Sequence, residues 1–249
     1  MDIIQISHYL DQLLDIHNIR DASHAVNGLQ IENTGDIQKV GLAVDACQAT
    51  IDLALDAGCD MMFVHHGLFW GGLQPVRGAH YKKLARMMEA NLGLYSAHIP
   101  LDVHPVLGNN RQLADVIGLE NLQEFALHDG QHIGLRGTIA PKTGHELGGM
   151  LSEALKTNVR VIGDGVIRSV GLVTGGAGKL LGEAIREGLD CFITGEGEAY
   201  QFHDAMENGC ILMFAGHYAT ETGGVKAVGK HLEEQFGLES LFLDYPTGL

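Results

Sequence analysis

The sequence predicts an α/β protein made of two similar α/β domains that arose by internal duplication, each a mixed, largely parallel sheet flanked by helices. Three observations carry this: strand-like and helix-like segments alternate, one such stretch recurs 130 residues further on, and histidines follow the ends of apolar runs. A chain of 249 residues has room for one large or two medium units of this class.

The elements follow in order. Ile4, Tyr9, Leu10, Leu13, Leu14 and Ile16 lie at near-helical spacing and predict an amphipathic helix over residues 4–18. Val40–Val44 reads as a strand, Cys47–Ala57 as a helix closed by Gly58, and Met61–Val64 as a second strand. Residues 80–91 read as helical and Leu92–Ala97 as extended, which completes a βαβ order. The last helix spans about Glu221–Gln235 and ends at Gly237, and Ser240–Asp244 gives a final strand.

The same order then recurs. Val40-Gly41-Leu42 returns as Val170-Gly171-Leu172, and Ala54, Gly58, Asp60 and Gly67 return as Ala184, Gly188, Asp190 and Gly197, all offset by 130 without a gap. Any two βαβ units share part of such a pattern, but here strand, helix, turn glycine and second strand keep their places. At an offset of 119, Tyr95-Ser-Ala-His98-xxx-Asp102 matches Phe214-Ala-Gly-His217-xxx-Glu221. Glu124–Gly137, rich in Gly and His, reads as a linker running into a strand near residues 132–139. The domains are accordingly cut near residue 126, as 1–126 and 127–249.

Sixteen Lys+Arg against 31 Asp+Glu leave a net charge of −15, which opposes the phosphate neutralisation that dominates nucleic-acid affinity. No nucleic-acid partner is expected. Cys47, Cys59, Cys191 and Cys210 form no CxxC pair and suit buried free thiols, which favours a reducing cytoplasm. The opening MDIIQISHYLDQLLDIHNI lacks a basic start and is broken by Asp2, Asp11 and Asp15, unlike a signal peptide. No stretch approaches the roughly 20 apolar residues of a membrane span, so no membrane association is expected.

The chemistry-bearing residues sit where an open α/β sheet presents function, beyond the carboxyl ends of strands. His65-His66-Gly67 follows Val64, His98 follows Ala97, and His217 follows Ala215-Gly216. Imidazoles and carboxylates in such proximity suit a divalent transition metal. Side chains of neighbouring strand residues point to opposite faces, so His65 and His66 suit different ions. If a helix follows His217, Glu221 lies on the same face one turn later and can bridge two cations held roughly 3.5–4 Å apart. Asp102 completes the other ion, and His98 is either a ligand or a group orienting Asp102. His8, His17, His24, His80, His128, His132, His145 and His231 receive no role. Gly175-Gly176-Ala177-Gly178-Lys179 could cradle a phosphate with its backbone N–H groups, or be a tight packing turn; it fits neither Walker A nor GxGxxG spacing. Glu196, in Gly195-Glu196-Gly197-Glu198, faces the same cleft or sits in a solvated turn.

These motifs resemble the GTP cyclohydrolase I type 2 homologues, also called the Nif-three-like family. The resemblance runs from end to end: Asn27-Gly28-Leu29-Gln30, Val64-His65-His66-Gly67, His98-xx-Leu101-Asp102 followed by Gly108-Asn109-Asn110, Thr194-Gly195-Glu196, and Gly216-His217-xx-Thr220-Glu221. It implies two similar α/β domains with a dinuclear metal site in the cleft between them, and a ring-like homohexamer. It also implies His65, His66, Asp102, His217 and Glu221 as ligands, with Glu221 touching both ions. The family name implies opening of the GTP imidazole ring to dihydroneopterin triphosphate and formate. The expected function is a hydrolase using two divalent ions (Fe, Zn, Mn, Co or Ni) on a purine nucleotide or related cyclic amide, with His98 or Glu196 moving a proton. A metal-binding regulatory or interaction protein, and a nucleotide-binding module without catalysis, are the competing expectations.

Overall fold

Asp2 starts the first helix, α1 (Ile3–Leu13): its carboxylate accepts the Gln5 N–H at 2.8 Å, while the Gln5 side chain accepts the Asp2 N–H. Ile3, Ile6 and Leu10 on one face are buried. The helix stops short of the expected residue 18 because Asp15 takes a left-handed φ of 51°. This chain start belongs to a computed structural model that describes residues 1–70, 72 and 74–248. The chain forms two units, one of Met1–Leu101 with Val225–Tyr245, the other of Asp102–Gly224 with the chain's end from Pro246.

In the first unit, β1 (Gly28–Ile31), β2 (Lys39–Asp45), α2 (Gln48–Asp56), β3 (Met61–His66), α3 (Gly78–Glu89) and β4 (Gly93–Ser96) follow α1. The sheet order is β1-β4-β3-β2-β11, where β11 (Glu239–Phe242) comes from the returning chain. β4, β3, β2 and β11 are mutually parallel and β1 is antiparallel to β4. Met62, Val64 and Leu94 from the sheet pack with Ile51 and Ala54 of α2 and Leu84 and Met87 of α3. The near-continuous burial of β2 and β3 is that of parallel strands covered on both faces.

Helix α4 (Ile99–Val103) carries the chain into the second unit. There α5 (Asn109–Ile117), β5 (Glu120–His128), β6 (Gln131–Thr143), α6 (Gly144–Leu155), β7 (Arg160–Ile162) and β8 (Val166–Leu172) are followed by a 3-10 turn at Gly178–Leu180. Then come α7 (Leu181–Arg186), β9 (Cys191–Thr194), α8 (Gln201–Asn208), β10 (Ile211–Phe214) and α9 (His217–Thr220), and α10 (Thr222–Phe236) returns to the first unit. The sheet order is β5-β6-β8-β9-β10-β7, with β8, β9 and β10 parallel. Val170, Ile193 and Met213 pack on Leu113 of α5 and Leu147 and Leu151 of α6.

The repeat read from sequence has a structural counterpart. The run β1-β4-β3-β2 corresponds to β7-β10-β9-β8, each with three parallel strands and an antiparallel edge. Asp60 Oδ2 accepts the N–H groups of Gln38 and Lys39, and 130 residues on Asp190 Oδ2 accepts those of Arg168 and Ser169. Gly58 and Gly188 close their helices at φ 68° and 66°.

Two expectations on organisation are corrected. The units do not part at residue 126: α5 belongs to the second unit and most of α10 to the first, so the chain changes unit at Leu101/Asp102 and again at Gly224/Val225 rather than dividing as 1–126 and 127–249. The stretch at 124–137 is no linker but the β5–β6 hairpin, in which His128 faces Gln131 across Asp129 (φ 48°) and Gly130 (φ 81°). Two successive positive φ values make the tight turn whose twist matches paired strands. In addition, β3 extends beyond Val64 to take in His65 and His66.

Because each aspartate accepts two backbone N–H groups, Asp60→Ala and Asp190→Ala should each destabilise the protein by about 1–3 kcal/mol in urea unfolding. Loss of less than about 0.5 kcal/mol in both would show that water replaces the carboxylates without cost.

Candidate metal centre

The register of the first sheet builds a histidine cluster within the first unit. Asp45 and His66 are direct neighbours across the parallel β2–β3 pair, so their side chains share a face, and Asp45 Oδ1 lies 2.8 Å from His66 Nδ1. His65 is fully buried, with Nδ1 2.9 Å from the Ala97 carbonyl oxygen. A carbonyl only accepts, so Nδ1 carries the proton and the neutral ring's lone pair lies on Nε2. His98, just beyond β4, has Nδ1 2.8 Å from Asp21 Oδ1. The three rings are packed together, with centroids 4.6 Å (His65–His66), 5.0 Å (His65–His98) and 5.5 Å (His66–His98) apart. Each ring offers a nitrogen, and the three lie within 4.8 Å of one another. Trp70 packs edge-on against His98 at 4.9 Å, its Nε1 donating to the Gly67 carbonyl.

Asp21 is a residue of the candidate site that sequence reading missed. Four donors converge on its carboxylate: the N–H groups of Ala22 and Ile99, Asn27 Nδ2 and His98 Nδ1. Burial pushes its pKa up, but the His98 hydrogen bond and charge, with Asn27 and Ala22, outweigh that and hold it below the ordinary value. Only a carboxylate has two acceptor oxygens for four donors, which fixes the proton on His98 Nδ1. Asn27 also accepts the His98 N–H, and Gln30 accepts the Leu68 N–H beside Gly67, where a Cβ would meet the Gln30 amide. The Asn27-Gly28-Leu29-Gln30 motif is therefore scaffolding for the histidines.

In the second unit, α9 does turn directly after His217, and His217 Nε2 lies 3.2 Å from Glu221 Oε1. Glu221 is 2% exposed. Oxygens of Asp102 and Glu221 lie within 4.8 Å of one another, as do the ligand atoms of His217 and Glu221, so Glu221 is the common member. Asp102 Oδ1 accepts from Asn109 Nδ2 at 2.8 Å and from the Thr174 hydroxyl at 3.2 Å. Asn110 accepts the Thr174 N–H and donates to the Asp102 carbonyl. Asn109, Asn110 and Thr174, the last outside any sequence expectation, thus hold Asp102 in place.

Glu196 lies in an exposed loop, and its Oε1 is 2.8 Å from His217 Nδ1. Glu221 first, and then Glu196, raise the His217 pKa to about 9. The glycine loop differs from the phosphate-cradle expectation. Gly175 N–H donates to Thr220 Oγ1, Ala177 N–H to Thr194 Oγ1, and Gly178 N–H to the Glu196 carbonyl, so these amides already serve the protein. A Cβ on Gly175 would collide with the Glu221 carboxylate and come 3.3 Å from His217 Nε2, whereas one on Gly176 would only touch His217 and Glu196. Gly175 makes room for the Glu221 carboxylate and Gly178 for Gln201 and the backbone of Gly197, so Gly175, Gly176 and Gly178 form a packed turn instead of an anion site.

Imidazoles anchored through Nδ1 to oxygen, beside carboxylates such as the buried Glu221, are a donor set that suits a transition metal. Both units hold groups that could bind a metal ion. In ion-free protein, the raised His217 pKa contributes stability that is complete below pH 6.5 and is lost as pH rises through about 9. The melting temperature measured in chelator should therefore fall over that window, and Glu221→Gln should flatten the fall. Equal slopes in the two proteins would contradict this origin.

A model of the Duf34/NIF3 family (NGG1p interacting factor 3) matches residues 1–247. A protein of Halobacterium salinarum named GTP cyclohydrolase 1 type 2 homolog is 40% identical with full coverage of both chains. One of the same name from Deinococcus radiodurans is 38% identical over 98% of this chain and 94% of its own. The crystal structure of TTHA1606 from Thermus thermophilus superposes with a TM-score of 0.92 at 38% identity, covering both chains fully. Among the described residues no helix is long and apolar enough to cross a membrane. On these matches and its mixed α/β fold, the chain belongs to the Duf34/NIF3 family.

Proposed function

We propose that the protein is a dinuclear-metal-dependent hydrolase of a purine nucleotide, a type 2 GTP cyclohydrolase forming dihydroneopterin triphosphate and formate. The observation that carries the metal reading is the set of strand-end imidazoles whose Nδ1 atoms are all anchored by oxygen. The relatives' shared name supports the nucleotide reading. In this proposal His65, His66, Asp102, His217 and Glu221 would hold two divalent ions. Two such ions would supply Lewis acidity and a water activated near neutral pH.

The chain's own residues prepare that chemistry. Ala97, Asp45 and Glu196 fix the ligand rings, and Asn109 with Thr174 fixes Asp102. His98, with its Nδ1 proton held by Asp21, presents Nε2 as a proton acceptor, and half-exposed Glu196 can exchange a proton with solvent. We further attribute the repeated strand order to an internal duplication, and place the protein in the cytoplasm as a ring-like homohexamer.

The description of the family as an interacting factor favours a second reading, a metal-binding regulatory protein without turnover. Metal-loaded protein should consume GTP and release formate, and His65→Ala should lower the rate at least 100-fold. Wild-type protein that releases no formate, with ligand variants that lose only stability or assembly, would establish the regulatory reading instead. Asp45→Ala, which frees the His66 ring from its anchor, should weaken metal binding about 10- to 100-fold in titrations. Unchanged affinity would show that Asp45 has no part in orienting the ligand.

A further inference from the structure

Beyond the ligands, the second unit contains a cavity of about 640 Å³ with no assigned role, a size suited to a small organic molecule. It lies past the carboxyl ends of β9 and β10, where open α/β sheets receive ligands. Arg160 of β7 and Phe214 of β10 are register neighbours across an antiparallel pair, so a guanidinium and an aromatic ring rise from the same face of the sheet. Phe202 and His203 of α8 line the cavity, and Glu196 and Glu198 border it on the loop after β9. The loop comes close because residue 197 is glycine: a Cβ there would lie 2.7 Å from the Phe214 ring.

The lining has a direction. Arg160 is exposed and enters no ion pair among the described residues, in a protein with a net charge of −15. Such a guanidinium on a cavity wall is a recognition group for an anion, since it presents a planar fork of donors. The two phenylalanines offer faces and edges to a flat ring. The two glutamates only accept hydrogen bonds when ionised, so they suit N–H groups and repel an anion. Glu196 is also the residue bonded to His217 Nδ1, so the acceptor end of the cavity is the end joined to the metal-ligand segment.

We propose that this cavity is the substrate subsite of the hydrolase put forward above, on which reading it rests. It takes a planar nitrogen heterocycle bearing an anionic group, with the ring against Phe202 and Phe214, its N–H edge toward Glu196 and Glu198, and the anion at Arg160. The arrangement turns the heterocycle toward the ligand segment and leaves the charged tail at the opposite wall.

Calorimetric titration of the full-length, metal-loaded protein with guanosine 5′-monophosphate, guanosine and inorganic phosphate tests this. Arg160→Gln should weaken the monophosphate tenfold or more and leave guanosine unchanged, Arg160→Lys should recover part of the loss, and Phe202→Ala should weaken both nucleoside and nucleotide. Metal content and circular dichroism matching the wild type confirm that these exposed positions do not disturb the fold. Wild-type monophosphate affinity in Arg160→Gln, or phosphate displacing the monophosphate at equal concentration, overturns the subsite. Nucleotide binding without formate release keeps the subsite and removes the hydrolase reading. Formate release unaffected by Arg160→Gln keeps the hydrolase reading and removes the subsite.

Discussion

Every histidine of the candidate centre gives its Nδ1 to an oxygen, and the rest of the site's geometry depends on that contact. His65 meets the Ala97 carbonyl, His66 meets Asp45, His98 meets Asp21 and His217 meets Glu196. An imidazole anchored at one nitrogen has a fixed plane and a fixed direction for the other, so Nε2 becomes the working end of each ring. Three of the four anchors are carboxylates, those of Asp45, Asp21 and Glu196. Keeping such charges near buried groups is costly unless every oxygen is satisfied, and the four donors on Asp21 show how that cost is met.

Parallel strands place these anchors without help from long loops. Because β2 and β3 run side by side, Asp45 and His66 arrive together at the same sheet end. The equivalent pair 130 residues on is Gly175 and Glu196, and there the chemistry has diverged. The Gly175 carbonyl accepts the N–H groups of Gly195 and Glu196, and a Cβ on Gly195 would strike the His217 backbone and the Gly175 and Gly216 carbonyls. In the first unit the strand ends carry imidazoles. In the second, glycines let three backbone segments crowd together so that His217 and Glu221 occupy the space.

Much of this was legible in sequence because it is local. The βαβ order, the repeat at 130 and the HxxxE spacing each depend on a few neighbouring residues, and α9 places His217 and Glu221 as that spacing requires. What was not legible depends on partners distant in the chain. Asp21 meets His98 across 77 residues, and Thr174 meets Asp102 across 72. The unit boundary was misplaced because α10 and β11 return to the first unit, an exchange that leaves no composition shift near residue 126. The hairpin at 128–131 carried its own signal, Asp129-Gly130, which the surrounding histidines and glycines disguised as a linker. The glycine loop was ambiguous for a different reason: glycine permits an anion cradle and close packing equally, and only the partners of its amides distinguish them.

The central claim is that these anchored nitrogens, with the carboxylates of Asp102 and Glu221, hold transition-metal ions. X-ray absorption at the metal edge, on protein purified without added metal, tests it most directly. The account predicts a shell of nitrogen and oxygen alone at about 2.0–2.2 Å, abolished by His65→Ala. A sulfur shell near about 2.3 Å, or protein that carries no transition metal and takes up none, would contradict it.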